Sequence, residues 1–342
     1  MNQLSIVILN YNGRNFLEKF LPTVIEYRDG HEVVVADNMS TDDSVVFLKE
    51  NFPDIRFIQN NENGGFARGY NEALKQIDSK FYLLLNSDIE VTPNWLSPLL
   101  EAMKDKTVAG CQPKILSQHD KTRFEHAGAS GGFLDKDYFP FCRGRILEKT
   151  ESDLGQYDDE IEIFWATGAA LMIRSELYHK IGGLDEDFFA HMEEIDLCWR
   201  LKKQNYRFKV VPKSVVYHIG GGTLPYTSPF KTYLNFRNSL FMLIKNHEGW
   251  LFPKLFFRLI LDGIAAARFL IRGERQQFAS IFNAHIYTFK IFNKMLAKRR
   301  LIRENSTVFN TVGLYRGSIL WQRYVRKNDK FKKLPQSKFY KF

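Results

Sequence analysis

Two acidic motifs, far apart in the chain, carry residue types suited to chemistry. The first is Asn86-Ser87-Asp88, which ends the apolar run Leu83-Leu84-Leu85. A carboxylate where a strand stops suits a hard divalent cation, since such cations prefer oxygen ligands. A cation held there would stabilise a departing diphosphate. The same triplet is also an ordinary turn, because Asn and Asp favour turns. The second motif sets Glu193, Glu194 and Asp196 within F-F-A-H-M-E-E-I-D-L-C-W-R at 188–200. Crowded carboxylates repel, so at least one has a displaced pKa or a cationic partner such as Arg200. Residues three apart share a helix face, which pairs Glu193 with Asp196 and turns Glu194 elsewhere. The cluster offers a general base. A solvated acidic helix start is the plainer alternative, since carboxylates suit that end of the dipole.

Three further positions fit a nucleotide site. Asp37 ends an apolar run and could accept the N3–H of a uracil or thymine ring, or close an Asx-turn. Asn63-Gly64-Gly65-Phe66-Ala67-Arg68 opens a helical segment. Its backbone N–H groups would attract phosphate, and Arg68 adds charge; a plain loop is the alternative. His218 follows Val215-Val216-Tyr217 and precedes Gly220-Gly221-Gly222-Thr223. It reads as a metal ligand or diphosphate donor, or as an ordinary satisfied histidine.

The elements that must position these residues alternate. Residues 4–9 form a continuous apolar run, as a strand buried on both faces should. Helix is expected over 14–27, with strands at 32–36, 55–58 and 81–85 and a further helix at 66–76. Ser40 or Thr41 is the expected N-cap of a helix between the second and third strands. Strands interleaved with helices imply a mostly parallel sheet. Ligands bind such sheets beyond the carboxyl ends of the strands, where Asn10, Asp37, Asn60 to Gly65 and Asn86 to Asp88 would line one edge. Residues 113–160 read as a polar inserted loop region with a hairpin. A strand is expected over 208–217 and a helix over 193–204.

The chain changes character after about Thr227. Residues 230–342 hold 23 Lys and Arg against 5 Asp and Glu, a net +18, and leave −9 on the first 229. A basic segment of this kind faces phosphate, in nucleic acid or on an anionic membrane. Over 251–272 the charged residues Lys254, Arg258, Asp262, Arg268 and Arg272 fall within an arc of roughly 140°, and aromatic and aliphatic residues fill the rest. Residues 278–295 repeat the pattern. Such helices suit the surface of an anionic leaflet; packing onto the catalytic half or a second subunit is the alternative. The aromatics do not interleave with the charges and no nucleic-acid motif occurs, so nucleic acid is not an expected partner. Cys111, Cys142 and Cys198 fit neither a metal pattern nor a disulfide framework, which points to a reducing compartment. No signal peptide or spanning helix is expected.

Five motifs in order resemble the inverting family 2 glycosyltransferases, and most nearly their rhamnosyltransferase-like branch. They are residues 5–13 (S-I-V-I-L-N-Y-N-G), 35–44 (V-A-D-N-M-S-T-D-D-S), 63–71 (N-G-G-F-A-R-G-Y-N), 85–91 (L-N-S-D-I-E-V) and 182–200. The resemblance implies a GT-A fold, an α/β Rossmann-like sheet flanked by helices. It implies a glycosyltransferase domain at 1–240, with a nucleotide-binding half at 1–112 and an acceptor half at 113–240. A basic helical extension would follow at 241–342. It implies an inverting hexosyltransferase that uses a UDP- or dTDP-sugar, with dTDP-rhamnose as one candidate, and Mn²⁺ or Mg²⁺. Asp88 and His218 are then the metal ligands; Asn10, Asp37, Asn63, Gly65, Arg68 and Asn86 contact the nucleotide. Trp165, Thr167, Gly168 and Glu193 line the sugar and acceptor pocket. Asn86 stands in the first acidic position of the family's D-x-D motif. The family's E-D pair falls on Glu193-Glu194, which makes Glu194 the catalytic base, with Asp196 in reserve. The acceptor would be a saccharide, lipid-linked if the tail meets a membrane, in cell-surface polysaccharide or O-antigen synthesis. The setting would then be cytoplasmic, at the inner face of the plasma membrane. The alternatives are a catalytically inactive sugar-nucleotide binder and a nucleic-acid binder acting through the basic tail.

Overall fold

The computed structural model describes residues 2–220 and 228–340. Most of the glycine run after His218, and Lys341, lie outside the described residues. The first half follows the expected alternation: β1 (Asn2–Asn10), α1 (Arg14–Glu26), β2 (Glu32–Asp37), α2 (Ser44–Asn51), β3 (Arg56–Gln59), α3 (Gly65–Leu74) and β4 (Ser79–Asn86). Then come β5 (Ile89–Val91), α4 (Leu96–Ala102) and β6 (Val108–Ser117). The apolar runs Leu4, Ile6, Val7 and Leu83 to Leu85 are fully buried, because helices cover both faces of the sheet. The N-cap of α2 is Asp43, not Ser40 or Thr41; the Ser40 side chain is instead engaged by Asp37.

Residues 113–160 are more ordered than an inserted loop. They carry β7 (Gly132–Asp135), β8 (Pro140–Cys142), β9 (Arg145–Ile146) and β10 (Lys149–Thr150). After these come β11 (Ile161–Ile163), β12 (Ala170–Arg174), α5 (Ser175–Lys180), α6 (Glu193–Lys202) and β13 (Arg207–His218). Four helices follow, α7 (Pro229–Asn246), α8 (Leu251–Ile271), α9 (Arg275–Lys290) and α10 (Phe292–Glu304), then the short strand β14 (Leu314–Tyr315).

The main sheet runs β11-β13-β6-β12-β4-β1-β2-β3, with β5 paired to β13. Strands β3, β2, β1 and β4 are mutually parallel, whereas β12 lies antiparallel to both β4 and β6. A second sheet, β10-β9-β8-β7-β14, takes its last strand from the tail. Phe331 and Phe339 pack on Phe133 and Phe141 beneath it. The expected boundary between 240 and 241 therefore falls inside α7, and β14 of the tail pairs with β7 instead of standing apart. The 112/113 division likewise falls inside β6. All three cysteines are buried and free.

Candidate active site

Register builds the site's floor. Asn10 pairs with Asp37, Leu9 with Asn86 and Asp37 with Gln59, so the polar strand ends share one edge. Asp37 is fully buried and its carboxylate is saturated. One oxygen accepts from Asn10 Nδ2 (2.9 Å) and Ser40 Oγ, the other from Ser40 N (2.9 Å) and Gln59 Nε2 (2.8 Å). This is the Asx-turn reading, and it leaves little of the carboxylate for a base. Asn10 Oδ1 by contrast is buried without a partner, 2.5 Å from where a Cβ on Gly13 would sit.

The start of α3 is not an open phosphate cradle. Asn63 Oδ1 accepts from Gly65 N (3.1 Å) and Asn38 Nδ2 (3.0 Å), and Ala67 N donates to Phe189 O (3.2 Å). Gly65 has φ of +73°, and a Cβ there would collide with Phe189 O. Gly65 and Ala67 thus hold α3 against the loop that precedes α6, while Asn63 ties the start of α3 to Asn38. Arg68 is half exposed and pairs with Glu62 and, at 3.9 Å, with Glu186.

Asp88 lies in the turn between β4 and β5, and β5 sets Ile89 opposite His218 at the end of β13. His218 Nε2 lies 3.1 Å from Asp88 Oδ1, and its Nδ1 lies 3.1 Å from Glu125 Oε2. Burial alone would lower the imidazole pKa, but the two carboxylates outweigh it and raise it to about 10. Burial would raise Glu125, yet His218 and the Ala127 N–H hold it at about 2. Among the described residues, no group of three or more His, Cys, Asp and Glu side chains is placed to hold a metal ion together. The donor set still fits a hard cation. A carboxylate behind Nδ1 orients a ligating imidazole, which leaves Nε2 and Asp88 facing each other. Mg²⁺ commonly binds through one or two carboxylates plus substrate phosphates.

The acidic loop is strained. Phe189, His191 and Met192 all have positive φ, 64°, 71° and 73°, just before α6. Such backbone persists only where its surroundings over-determine it. Here α7 does so: Asn238 Nδ2 donates to the carbonyls of Phe188, Ala190 and His191 at 2.7–2.9 Å, and Arg237 to those of Asp187 and Phe188.

This geometry rearranges the expected carboxylate pairs. Glu193 and Asp196 do not act together. Asp196 is fully buried; its Oδ2 accepts from Arg200 Nε (2.8 Å) and Lys245 Nζ (2.8 Å), and its Oδ1 from Asn246 Nδ2 (2.8 Å). Burial opposes ionisation of Asp196, but Lys245 and Arg200 hold its pKa down. Its carboxylate is committed to tying α6 to α7, so it has no capacity left as a reserve base. Glu193 is buried, and burial followed by the charge of Glu194 pushes its pKa well up. Burial likewise lifts Glu194 to about 7, partly offset by backbone N–H groups that include that of Gly168. One oxygen of each of these two glutamates is buried without a partner.

Gly168 links this acid to the sheet edge. A Cβ there would lie 3.6 Å from Glu194 Cβ and 3.0 Å from Phe66 Cζ, and the neighbouring Ala169 carbonyl accepts from Asn86 N at 2.9 Å. Thr167 N donates to Gln112 Oε1 (3.0 Å) and fixes the segment. Trp165 is not a platform for a sugar ring. It is buried, with Nε1 donating to Phe133 O (3.0 Å) and Gly132 against its ring.

Glu125, His191 and Asn238 were not singled out by the sequence. Glu125 sits in a stretch read as irregular loop and meets His218 only through tertiary structure. Arg237-Asn238 carried a signal, adjacent polar residues just before the apolar run Leu240 to Ile244 of α7. His191 is half-buried with its Nε2 buried and unpartnered, and desolvation, then the charge of Lys231, pulls its pKa down to about 4.

The family model described as "Glycosyl transferase family 2" matches residues 5–182. The N-acetylglucosaminyl-diphospho-decaprenol L-rhamnosyltransferase of Mycobacterium tuberculosis (strain H37Rv) is 22% identical over 272 residues, 72% of this chain and 86% of that protein. The low-salt glycan biosynthesis hexosyltransferase Agl10 of Haloferax volcanii is 24% identical over 296 residues, 79% and 90% of the two chains. Rhamnosyltransferase WbbL of Escherichia coli (strain K12) is 21% identical, covering 60% of this chain and 80% of that protein. Two solved structures share the fold. Mannosyltransferase PcManGT from Pyrobaculum calidifontis, in complex with GDP-Man and Mn²⁺, has a TM-score of 0.52 at 16% identity, over 88% and 85% of the chains. GalNAc-T7 with UDP, GalNAc and Mn²⁺ has a TM-score of 0.54 at 17% identity, over 72% of this chain and 48% of that one.

Proposed function

From the premise that this chain belongs to glycosyl transferase family 2, we propose that it moves a sugar from a nucleoside diphosphate to a saccharide hydroxyl, with inversion at the anomeric carbon. The observation that carries this reading is Glu194, a half-buried residue whose carboxyl is lifted to about 7 and which is set against Gly168 at the strand-end edge. A base with a pKa near the working pH is what abstraction of a hydroxyl proton needs. In the proposed step Glu194 takes the acceptor's hydroxyl proton as that oxygen attacks the anomeric carbon. The bond from that carbon to the diphosphate breaks on the opposite face, and its electron pair leaves with the nucleoside diphosphate. Asp88 and His218, backed by Glu125, would hold Mn²⁺ or Mg²⁺, which when bound supplies charge neutralisation for the leaving diphosphate. Asn10, with its unpartnered buried Oδ1, is the nucleotide contact with an atom to spare.

The donor proposed first is a dTDP- or UDP-sugar, with dTDP-rhamnose leading because two similar proteins are named as rhamnosyltransferases. The M. tuberculosis relative is named for a decaprenol diphosphate acceptor. That supports a lipid-linked saccharide here, met at the cytoplasmic face of the plasma membrane during surface polysaccharide or O-antigen assembly. Turnover of a panel of UDP- and dTDP-sugars with Mn²⁺ or Mg²⁺ tests the proposal. Metal-dependent consumption of one donor, lost in Asp88→Ala and Glu194→Gln, is the expected result. Binding of no nucleotide sugar at all would overturn it.

A further inference from the structure

Helices α8 and α9 form a hairpin whose polarity is inside out. The inward side of α8 carries Arg258 and Asp262, both buried and joined at 2.8 Å, and Asp262 reaches His285 of α9 at 3.2 Å. The outward side carries Phe252, Phe256, Ile260 and Ile264, spaced four apart, and α9 adds Phe282 and Ile286. Phe256 is 67% exposed, Ile264 63% and Phe282 59%. A helix on a water-facing surface has the opposite arrangement, and a contiguous apolar surface of this kind marks an interaction site.

Charge selects the occupant. The segment from 230 onward carries +18, and Arg272 and Arg275 are exposed around the turn between the two helices. Two copies of so basic a segment would repel face to face, whereas an anionic leaflet attracts it. Trp250, 87% exposed at the entry to α8, is the residue type favoured at headgroup depth. Among the described residues no helix is long and apolar enough to cross a membrane, so the hairpin would lie in the plane of the leaflet.

We propose that the α8–α9 hairpin inserts its outward aromatic and aliphatic side chains into an anionic lipid leaflet, with Arg272 and Arg275 among the headgroup phosphates. The hairpin is coupled to the acidic loop through α7. Tyr287 of α9 lies under the Arg237 guanidinium at 5.5 Å and 6.5 Å from the Tyr233 ring, and Arg237 and Asn238 hold the loop before Glu193. Docking would therefore fix the height of Glu194 above the lipid. This last point rests on the lipid-linked acceptor reading; the lipid-binding surface does not.

Flotation of the full-length protein with phosphatidylcholine vesicles, with and without phosphatidylglycerol, tests it. Wild type is compared with Phe256→Glu/Phe282→Glu and, independently, with Arg272→Glu/Arg275→Glu. All four positions are exposed, so folding is retained, as far-UV circular dichroism would verify. Wild type co-floats with the anionic vesicles, and each pair of substitutions lowers binding about tenfold or more. Turnover of a water-soluble acceptor is unchanged in both. Failure of wild type to float, or flotation of both variants as complete as that of wild type, overturns the proposal. So does a dimer in light scattering that the Phe256→Glu/Phe282→Glu pair dissolves, which would assign the surface to a second copy. Flotation without any transferase activity would sink the catalytic reading and leave the surface standing.

Discussion

Replacing Glu194 by Gln should separate catalysis from stability in opposite directions. Burial lifts this carboxyl from 4.5 to about 7, which corresponds to about 3 kcal/mol between its two protonation states. The folded protein therefore holds a proton that the unfolded chain releases as pH rises above 4.5. Stability is lost across the window from 4.5 to 7, and the ionised Glu194 is a destabilising group above it. Glutamine keeps the shape and never ionises. At pH 8 Glu194→Gln should be more stable than wild type by up to about 3 kcal/mol, and at pH 4.5 by close to nothing. Turnover moves the other way, because loss of a general base costs about 10²- to 10⁴-fold. For wild type, kcat/KM should rise about tenfold from pH 6 to pH 8, as the ionised fraction grows around a pKa near 7. Urea unfolding at the two pH values and initial rates over pH 5.5–8.5 measure all three quantities. A flat rate profile, or a Gln variant with more than about a tenth of wild-type turnover, would refute the assignment of Glu194 as base.

Other outcomes follow from the same geometry. Asp88→Ala and His218→Ala should each abolish metal-dependent donor binding in calorimetry, and Glu125→Gln should weaken metal affinity by about 10- to 100-fold through loss of ring orientation. Asp196→Asn should act on folding, because it leaves Lys245 and Arg200 buried without their shared carboxylate. A loss of about 3–5 kcal/mol in urea unfolding is expected, with no change in the pH profile of the remaining activity. Asn238→Ala frees three carbonyls of the strained loop and should lower kcat with little effect on donor KM, as steady-state kinetics would register.

What the sequence made legible was local. Buried runs such as Leu4 to Leu9 and turn residues at strand ends located β1 to β4 within a residue or two, because a strand covered on both faces is apolar throughout. The Asp88 and Glu194 motifs stood out in the sequence because their polar residues are neighbours along the chain. Contacts across the fold were not. Glu125 and His218 lie far apart in the chain and meet only because β13 returns beside β6. Asp196 and Glu193 looked alike on a helical wheel, yet Lys245 and Asn246 of α7 capture one and leave the other buried beside Glu194 with an unpartnered oxygen. Trp165 resembled a sugar platform by position, but Gly132 admits its ring to the core. The polarity of α8 was legible as an arc of charge, and only the fold showed that Arg258 and Asp262 within that arc face inward.

The most direct test of the account is the anomeric configuration of the first product formed, followed by proton NMR with the donor that the panel identifies. Single displacement driven by Glu194 predicts that the new glycosidic bond has the configuration opposite to the donor's from the earliest spectrum. Retention of the donor's configuration would contradict the proposed base, the in-line geometry and the inverting mechanism together.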